Sequence, residues 1–404
     1  MCPSFAFVRV VMLSILFALP AQAERLALFI DADYSVSAAA AEAIELGVRA
    51  ALDESDGRLG GVETVVVPMD HRGNVRRSRK TMERYLESDE ALALIGGLHS
   101  PPYLTHQDFI NANRVLTLLP WSAAGPITRA GQGVENWIFR LSVDDRKSGG
   151  FLVREAVERG GCSRIALILI DTGWGRANFL TLSAALETRG MRPSAVVYFG
   201  VSIGKASASA LAEDIANAGS DCAVLLSNWD SGHVVTNALY EQVPDLRVFS
   251  HWGVAGGRFA EHVPHERLER MRFSVLQTCG LREERDGDAV LRQALAIAAP
   301  EVRLLAELHA PTGFVHGYDL TRILIAAADQ AAQTPAWKEG VASRRVAVRL
   351  ALERLNTPVN GILAKYDTPF RPYSVEDPDA HEALGVDDLC MARFREDGLL
   401  EHDG

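Results

Sequence analysis

The chain has 404 residues, 48% of them hydrophobic and 23% charged, and its formal net charge is −11 at pH 7. At roughly 100–200 residues per domain, that length calls for two domains with sizeable cores. The acidic balance excludes nucleic acid as a partner, since the densest basic stretch, Arg72 to Lys80, reads as a solvated helix face.

Met1 to Ala23 has the layout of a secretory leader: Arg9, an apolar core from Val10 to Leu19, Pro20, and the small-residue site Ala21-Gln22-Ala23. The apolar run is shorter than the roughly 20 residues a membrane span needs, and no other run compares with it. An exported, soluble chain beginning at Glu24 is therefore expected, with an uncleaved anchor as the rival reading. Cys2 is too early to be a lipoprotein cysteine. The remaining cysteines, Cys162, Cys222, Cys279 and Cys390, are even in number, which permits disulfides in an oxidising compartment. None has the C-x-x-C spacing of a metal or redox motif, and no cofactor is implied.

Apolar runs at Leu26 to Ile30, Val62 to Val67, Leu92 to Ile95 and Val115 to Leu119 read as buried strands. Helical patterns over Ala38 to Glu54 and Arg76 to Leu86 fall between them, and this set ends near Leu141. A second set runs from Ile165 to about Leu276. Its strands are Ile165 to Ile170, Ala195 to Phe199, Ala223 to Leu226 and Arg247 to Phe249, with helices through Ala177 to Arg189 and Ala206 to Ala218. Such alternation implies an α/β chain with two doubly wound parallel sheets. Helical stretches Val290 to Ile297, Tyr318 to Gln333 and Val341 to Leu355 follow Cys279. A loop-rich tail with Pro358, Pro369, Pro372 and Pro378 closes the chain.

The residues at the strand ends are unusual. Asp31, Asp33 and Tyr34 follow the first run, His99 and Ser100 the third, Trp121 and Ser122 the fourth. In the second set, Asp171 and Trp174, Asn228 and Trp229, and His251 and Trp252 hold the same kind of place. Ligands of open α/β sheets bind at the carboxyl ends of the strands, so these residues, with Ala123, are candidates for a small-molecule site. Plainer roles stand beside this one: a tryptophan at a strand end also covers core, Ser100 and Ser122 also cap helices, and His99 and His251 read first as hydrogen-bonded structural histidines.

Several segments in order along the chain carry a family resemblance. They are Ala43-Ile44-Glu45-Leu46-Gly47-Val48, Leu59-Gly60-Gly61, Leu94-Ile95-Gly96-Gly97-Leu98-His99-Ser100, and Leu119-Pro120-Trp121-Ser122-Ala123-Ala124-Gly125-Pro126-Ile127-Thr128. After these come Asp171-Thr172-Gly173-Trp174-Gly175, Ser250-His251-Trp252-Gly253-Val254 and Gly317-Tyr318-Asp319-Leu320. The chain resembles the type I periplasmic solute-binding proteins of ABC transporters, of the branched-chain amino acid and amide group. The resemblance implies two lobes that close on a ligand about a three-segment hinge, with crossings near Ser142, Gln277 and Val359. Lobe 1 would comprise 24–142 and 278–358, and lobe 2 143–277 and 359–404. It implies a periplasmic monomer that delivers its ligand to an inner-membrane permease. Ser100 and Ser122-Ala123 would grip a ligand carboxylate through hydroxyls and helix N-terminal N–H groups, Trp174 would stack on the ligand, and Tyr34 would cover it.

Trp252 stands where amino-acid-binding relatives place an acid for the ammonium, which counts against an ordinary α-amino acid. Trp121, Trp174, Trp229 and Trp252 point to an apolar, planar or cationic ligand, with Asp31, Asp33, Asp171 and Asp230 near enough to supply charge. A sensory receptor of the same fold is the alternative to transport. The G-x-S-x-G run Gly200 to Gly204 is a weak hydrolase signal, and His262-Val263-Pro264-His265 has the wrong spacing for a zinc helix. With the sheet order 2-1-3-4-5, Cys162 and Cys222 fall at the same end of neighbouring strands, about 4.8 Å apart, and a disulfide between them is expected. Cys279 with Cys390 is a weaker possibility.

Overall fold

A computed structural model describes residues 24–279, 289–302 and 305–402; the leader expected over Met1 to Ala23 lies outside them. No helix among the described residues is long and apolar enough to cross a membrane. The first sheet contains β1 (Arg25–Ala32), β2 (Arg58–Leu59), β3 (Val62–Asp70), β4 (Ala91–Gly96), β5 (Thr117–Leu119) and β6 (Ile138–Arg140). Its parallel strands lie in the order β3-β1-β4-β5-β6, with β2 antiparallel at the edge. The second contains β7 (Ile165–Ile170), β8 (Ala195–Phe199), β9 (Cys222–Leu226), β10 (Arg247–Ser250) and β11 (Ser274–Thr278), parallel in the order β8-β7-β9-β10-β11. Both parallel sets therefore follow the doubly wound order 2-1-3-4-5, which opens a crevice at the carboxyl ends of the strands. The central strands are buried along their length, as continuous apolar runs such as Ile165-Ala166-Leu167-Ile168-Leu169-Ile170 require of a sheet covered on both faces.

Helices α1 (Ala38–Asp53), α2 (Val75–Glu87) and α3 (Pro101–Ala112) connect the first sheet, and α4 (Asp145–Arg154) begins the passage to the second. There α5 (Gly173–Glu187), α6 (Lys205–Asn217), α7 (Trp229–Gln242), α8 (Phe259–His262) and α9 (His265–Arg270) connect the strands. The chain then returns through α10 (Ala289–Ala298), α11 (Pro311–Ala331) and α12 (Val341–Glu353) to the first sheet. Helices α1 and α11 touch backbone to backbone. A Cβ at Gly47 would sit 2.2 Å from the Phe314 carbonyl oxygen, and one at Gly317 2.6 Å from that of Ile44. Those two glycines of the recognised segments exist for this approach.

The tail departs from expectation. The hairpin β12 (Val359–Asn360) and β13 (Lys365–Tyr366) stays on α11, because the buried Asp319 carboxylate accepts the N–H groups of Ile362 at 2.6 Å and Leu363 at 2.9 Å and the Tyr366 hydroxyl at 2.8 Å. His381 bonds the Ile138 carbonyl at 2.9 Å, and the Ala383 N–H donates to the Arg140 carbonyl at 2.9 Å. The tail thus stays against the first sheet as far as Ala383 and pairs with the second from Leu389. Beyond it the tail is no longer loop: β14 (Leu389–Phe394) and β15 (Leu400–His402) extend the second sheet antiparallel from β11.

Two disulfides brace the second sheet. Cys162 joins Cys222, with Cα atoms 5.8 Å apart, just before β7 and at the start of the neighbouring β9. Cys279 joins Cys390 of β14, with Cα atoms 5.1 Å apart. They close segments with sequence separations of 60 and 111. Replacing either pair with alanine is expected to lower the unfolding free energy by about 2–5 kcal/mol in urea titrations; an unchanged midpoint would show that the bridge constrains nothing.

Buried His316 on α11 ties the two sheets together. Its Nδ1 faces the Pro120 carbonyl at 2.8 Å and so donates, which leaves Nε2 to accept from the Thr278 hydroxyl at 2.9 Å. Burial lowers its pKa to about 4, against the partial opposition of the Pro120 bond. Between about pH 4 and 6.5 the unfolded chain therefore holds more protons than the folded one, and stability falls as pH drops through that window. The full window amounts to roughly 3 kcal/mol. His71 and His381, held low chiefly by burial, act in the same direction. His316→Gln should reduce the loss of stability measured between about pH 7 and about pH 4.5 without abolishing it; identical acid sensitivity would disprove the assignment.

Candidate functional site

A cavity of about 530 Å³ opens between the carboxyl ends of the two sheets. On the first side its walls are Asp33 and Val36 after β1, Arg72 and Gly73 after β3, Leu98, His99, Ser100 and Pro101 after β4, and Ala123 after β5. On the second they are Ile170, Thr172, Gly173 and Trp174 around the end of β7, Val201 and Ser202 after β8, Asn228 and Asp230 after β9, and Trp252 and Gly253 after β10.

Asp33 accepts the N–H groups of Ser35 at 3.1 Å and Val36 at 2.9 Å through one oxygen, and His99 Nε2 lies 3.0 Å from the other. Burial raises its pKa, but the His99 and backbone bonds outweigh that and bring it down to about 2. The carboxylate is thus charged and fully engaged. Ser100 Oγ accepts the Ala124 N–H at 3.2 Å, and its own proton is left to donate. The expected helix N–H donors are missing here, since α3 begins with Pro101 and Pro102, which carry none.

Other expected contacts lie behind the wall. The Ser122 hydroxyl is buried and donates to the carbonyls of Gly97 at 2.7 Å and His99 at 3.0 Å, fastening one wall loop to another. It does not line the cavity. Tyr34 turns its hydroxyl to Glu45 of α1 at 2.8 Å, packs on the core and does not line the cavity. Trp121 is fully buried, with its ring centroid 5.6 Å from that of Trp252, which in turn lies 5.5 Å from the ring of His316. Trp229 stacks with His233 and His262, outside the cavity. For these aromatics the plainer reading prevails: the rings cover core and interdomain surface. Among the charged neighbours, Asp31 accepts Ser78 at 2.5 Å and Asp171 pairs with Arg176 at 2.6 Å, and neither lines the cavity.

The residue the sequence reading missed is Asp145, in the first turn of α4. Its carboxylate accepts Trp174 Nε1 at 2.8 Å and Asn178 Nδ2 at 2.6 Å, and lies 2.8 Å from His251 Nε2. Its N–H donates to the Ala123 carbonyl at 3.0 Å. His251 is therefore a support for Trp174, with the two rings edge to face at 5.1 Å, and not a wall residue. Because the indole N–H is taken, Trp174 presents only carbon surface to the cavity. An acid immediately after the first crossing was the available signal. The one cluster with metal-ligand proximity among the described residues, Cys162, Asp221 and Cys222, has both sulfurs in a disulfide.

A sequence profile of a family described as periplasmic binding protein matches residues 29–243. Among solved structures, the chain is similar to a type 1 periplasmic binding protein of Bordetella pertussis Tohama I, with 14% identity and a TM-score of 0.73 over 94% of this chain and 100% of that one. A leucine-binding protein of Thermotoga maritima MSB8 gives 14% and 0.71 over 94% and 98%. An ABC transporter solute-binding protein of R. palustris, solved with benzoate, gives 15% and 0.71 over 94% and 96%. No curated protein sequence matches the chain. At such identities the likeness establishes the fold.

Asp145→Ala would leave three buried donors without their acceptor. A loss of roughly 2–4 kcal/mol of stability is expected, together with a changed near-ultraviolet circular dichroism band as Trp174 loses its fixed orientation. A variant with native stability and spectrum would remove Asp145 from its supporting role.

Proposed function

The chain belongs to the periplasmic binding protein family, and on that premise we propose that it captures a small organic solute between two lobes and delivers it to the membrane permease of an ABC transporter. The observation that carries this reading is the origin of the walls: every lining residue sits at or just beyond the carboxyl end of a strand, and both sheets contribute. A solute held there is enclosed only when the two sheets approach each other, so affinity and closure are one event. The crossings near Ser142, near Gln277 and between Ala383 and Leu389 form the hinge in this reading. The hydrolase signal gains no support from the comparisons, since the matching family and the similar structures are solute-binding proteins.

The family works outside the cytoplasmic membrane, and two disulfides suit an oxidising compartment. Export with cleavage after Ala23 fits both. Two proteins of this fold are solved with leucine and with benzoate, each a carboxylate. The engaged Ser122 hydroxyl and the prolines at 101 and 102 leave this chain fewer donors for such a group.

A solute found by thermal-shift screening should, at a hundred times its dissociation constant, add about 2.7 kcal/mol of stability. It should also reduce the radius of gyration in solution scattering. Trp174→Ala should weaken its binding by at least about 1 kcal/mol. Unchanged scattering at saturation would refute closure, and wild-type affinity in a folded Trp174→Ala protein would put the site elsewhere.

A further inference from the structure

The carboxylates around the cleft divide sharply by what they touch. Asp33 is held by His99 and two backbone N–H groups, Asp145 by Trp174, Asn178 and His251, Asp171 by Arg176, and Asp70 by Ser35 and Arg72. Asp230 differs. It lines the cavity from the first turn of α7, half-buried, and no cationic or hydroxyl side chain among the described residues bonds it. Only backbone N–H groups, its own and that of Ser231, reach it, and the nearest cationic candidates, His99 and His233, act at a distance. Burial accordingly raises its pKa. An uncompensated carboxylate in a partly closed cavity is costly, and the cost disappears when a cation arrives with the ligand.

The surrounding groups agree. Trp174 lines the cavity with its N–H already held by Asp145, and the largely buried Trp252 lines it beside Gly253. Aromatic faces and a carboxylate together make a surface for an organic cation. The wall opposite keeps the Ser100 hydroxyl proton but few other anion-binding donors: the Ser122 hydroxyl is engaged, and the first two positions of α3 have no N–H. The cavity's one guanidinium, Arg72, is mostly exposed and held by Asp70 at 3.2 Å.

Taking the cleft as the solute site, we propose that its ligand carries an organic nitrogen cation, with Asp230 as the counter-ion and the indoles of Trp174 and Trp252 as the apolar walls. The acid reaches the ligand from the loop after β9, while the position after β10 holds Trp252.

Three probes of matched size test this at pH 7: benzylammonium, benzyl alcohol and benzoate, each titrated against the purified protein by tryptophan fluorescence. Benzylammonium should bind at least about tenfold more tightly than benzyl alcohol, and Asp230→Asn should bring that ratio to about one in a protein whose unliganded melting temperature is no lower than that of the wild type. Benzoate should bind more weakly than either. Equal constants for all three probes, absence of binding included, overturn the cation. If benzoate binds best and Trp174→Ala weakens it, solute capture in the cleft stands and the cation assignment alone falls. If Trp174→Ala leaves every constant unchanged, both fall.

Discussion

The rest of the structure depends on one buried guanidinium. Arg140, at the end of β6, is fully buried and uses all five of its N–H groups. Two go to Glu382 at 2.7 Å each, one to Asp144 at 2.9 Å, and two to the carbonyls of Ala124 at 3.0 Å and Ser122 at 3.4 Å. Those partners are the tail, the N-cap of α4 and the loop that carries Ala123 into the cavity. Arg129 bonds Asp144 at 2.6 Å and Asp379 at 2.5 Å, and Lys147 approaches Asp379 at 3.6 Å, so three cations meet three carboxylates. Within this set the arginines hold Asp144 below its usual range against the pull of burial, while burial and the Asp144 charge push Glu382 up. A buried ion of this kind contributes little net stability over an apolar substitute, but it makes one arrangement far better than any other. Here the arrangement it selects is the meeting of site, first crossing and last crossing.

Asp145, the next residue after the Asp144 cap, continues the same logic on the far wall. One carboxylate fixes an indole, an amide and an imidazole. Its neighbour Gly253 has no side chain because a Cβ there would lie 2.4 Å from the Ser227 carbonyl oxygen and 2.9 Å from the Trp174 ring. Trp174 is held in place by Asp145 before any solute enters, so little ordering of that ring remains for binding to oppose.

Much of this was legible in the residues. Continuous apolar runs fixed the strands, their alternation with helices fixed the sheet type, and the polar and aromatic residues beyond the runs marked the side of the sheet on which the cavity opens. Which of those residues faces the cavity was not legible. Tyr34 follows Glu45, Trp229 follows His233 and His262, and the Ser122 hydroxyl follows two carbonyls 23 and 25 positions away; each is a tertiary contact that one chain's pattern does not display. Pro101-Pro102 is a different case, since the absence of N–H donors there is a property of the residues themselves. The tail strands were hidden because they follow a proline-rich stretch and owe their place to antiparallel pairing, β14 with β11 and β15 with β14.

That pairing bears on the order in which the molecule can be made. A chain emerging from its N-terminus presents the parallel strands β7 to β11 more than a hundred residues before β14 exists to cover the edge of β11. Arg140 likewise waits for Glu382, 242 positions later. Neither half can reach its finished form while the C-terminal segment is still in transit, and the open β11 edge is available to foreign strands for that interval. The Cys279–Cys390 bridge closes across the same edge. Oxidation at that position therefore reports that β14 has reached β11, and loss of β14 and β15 would leave the β11 edge unpaired.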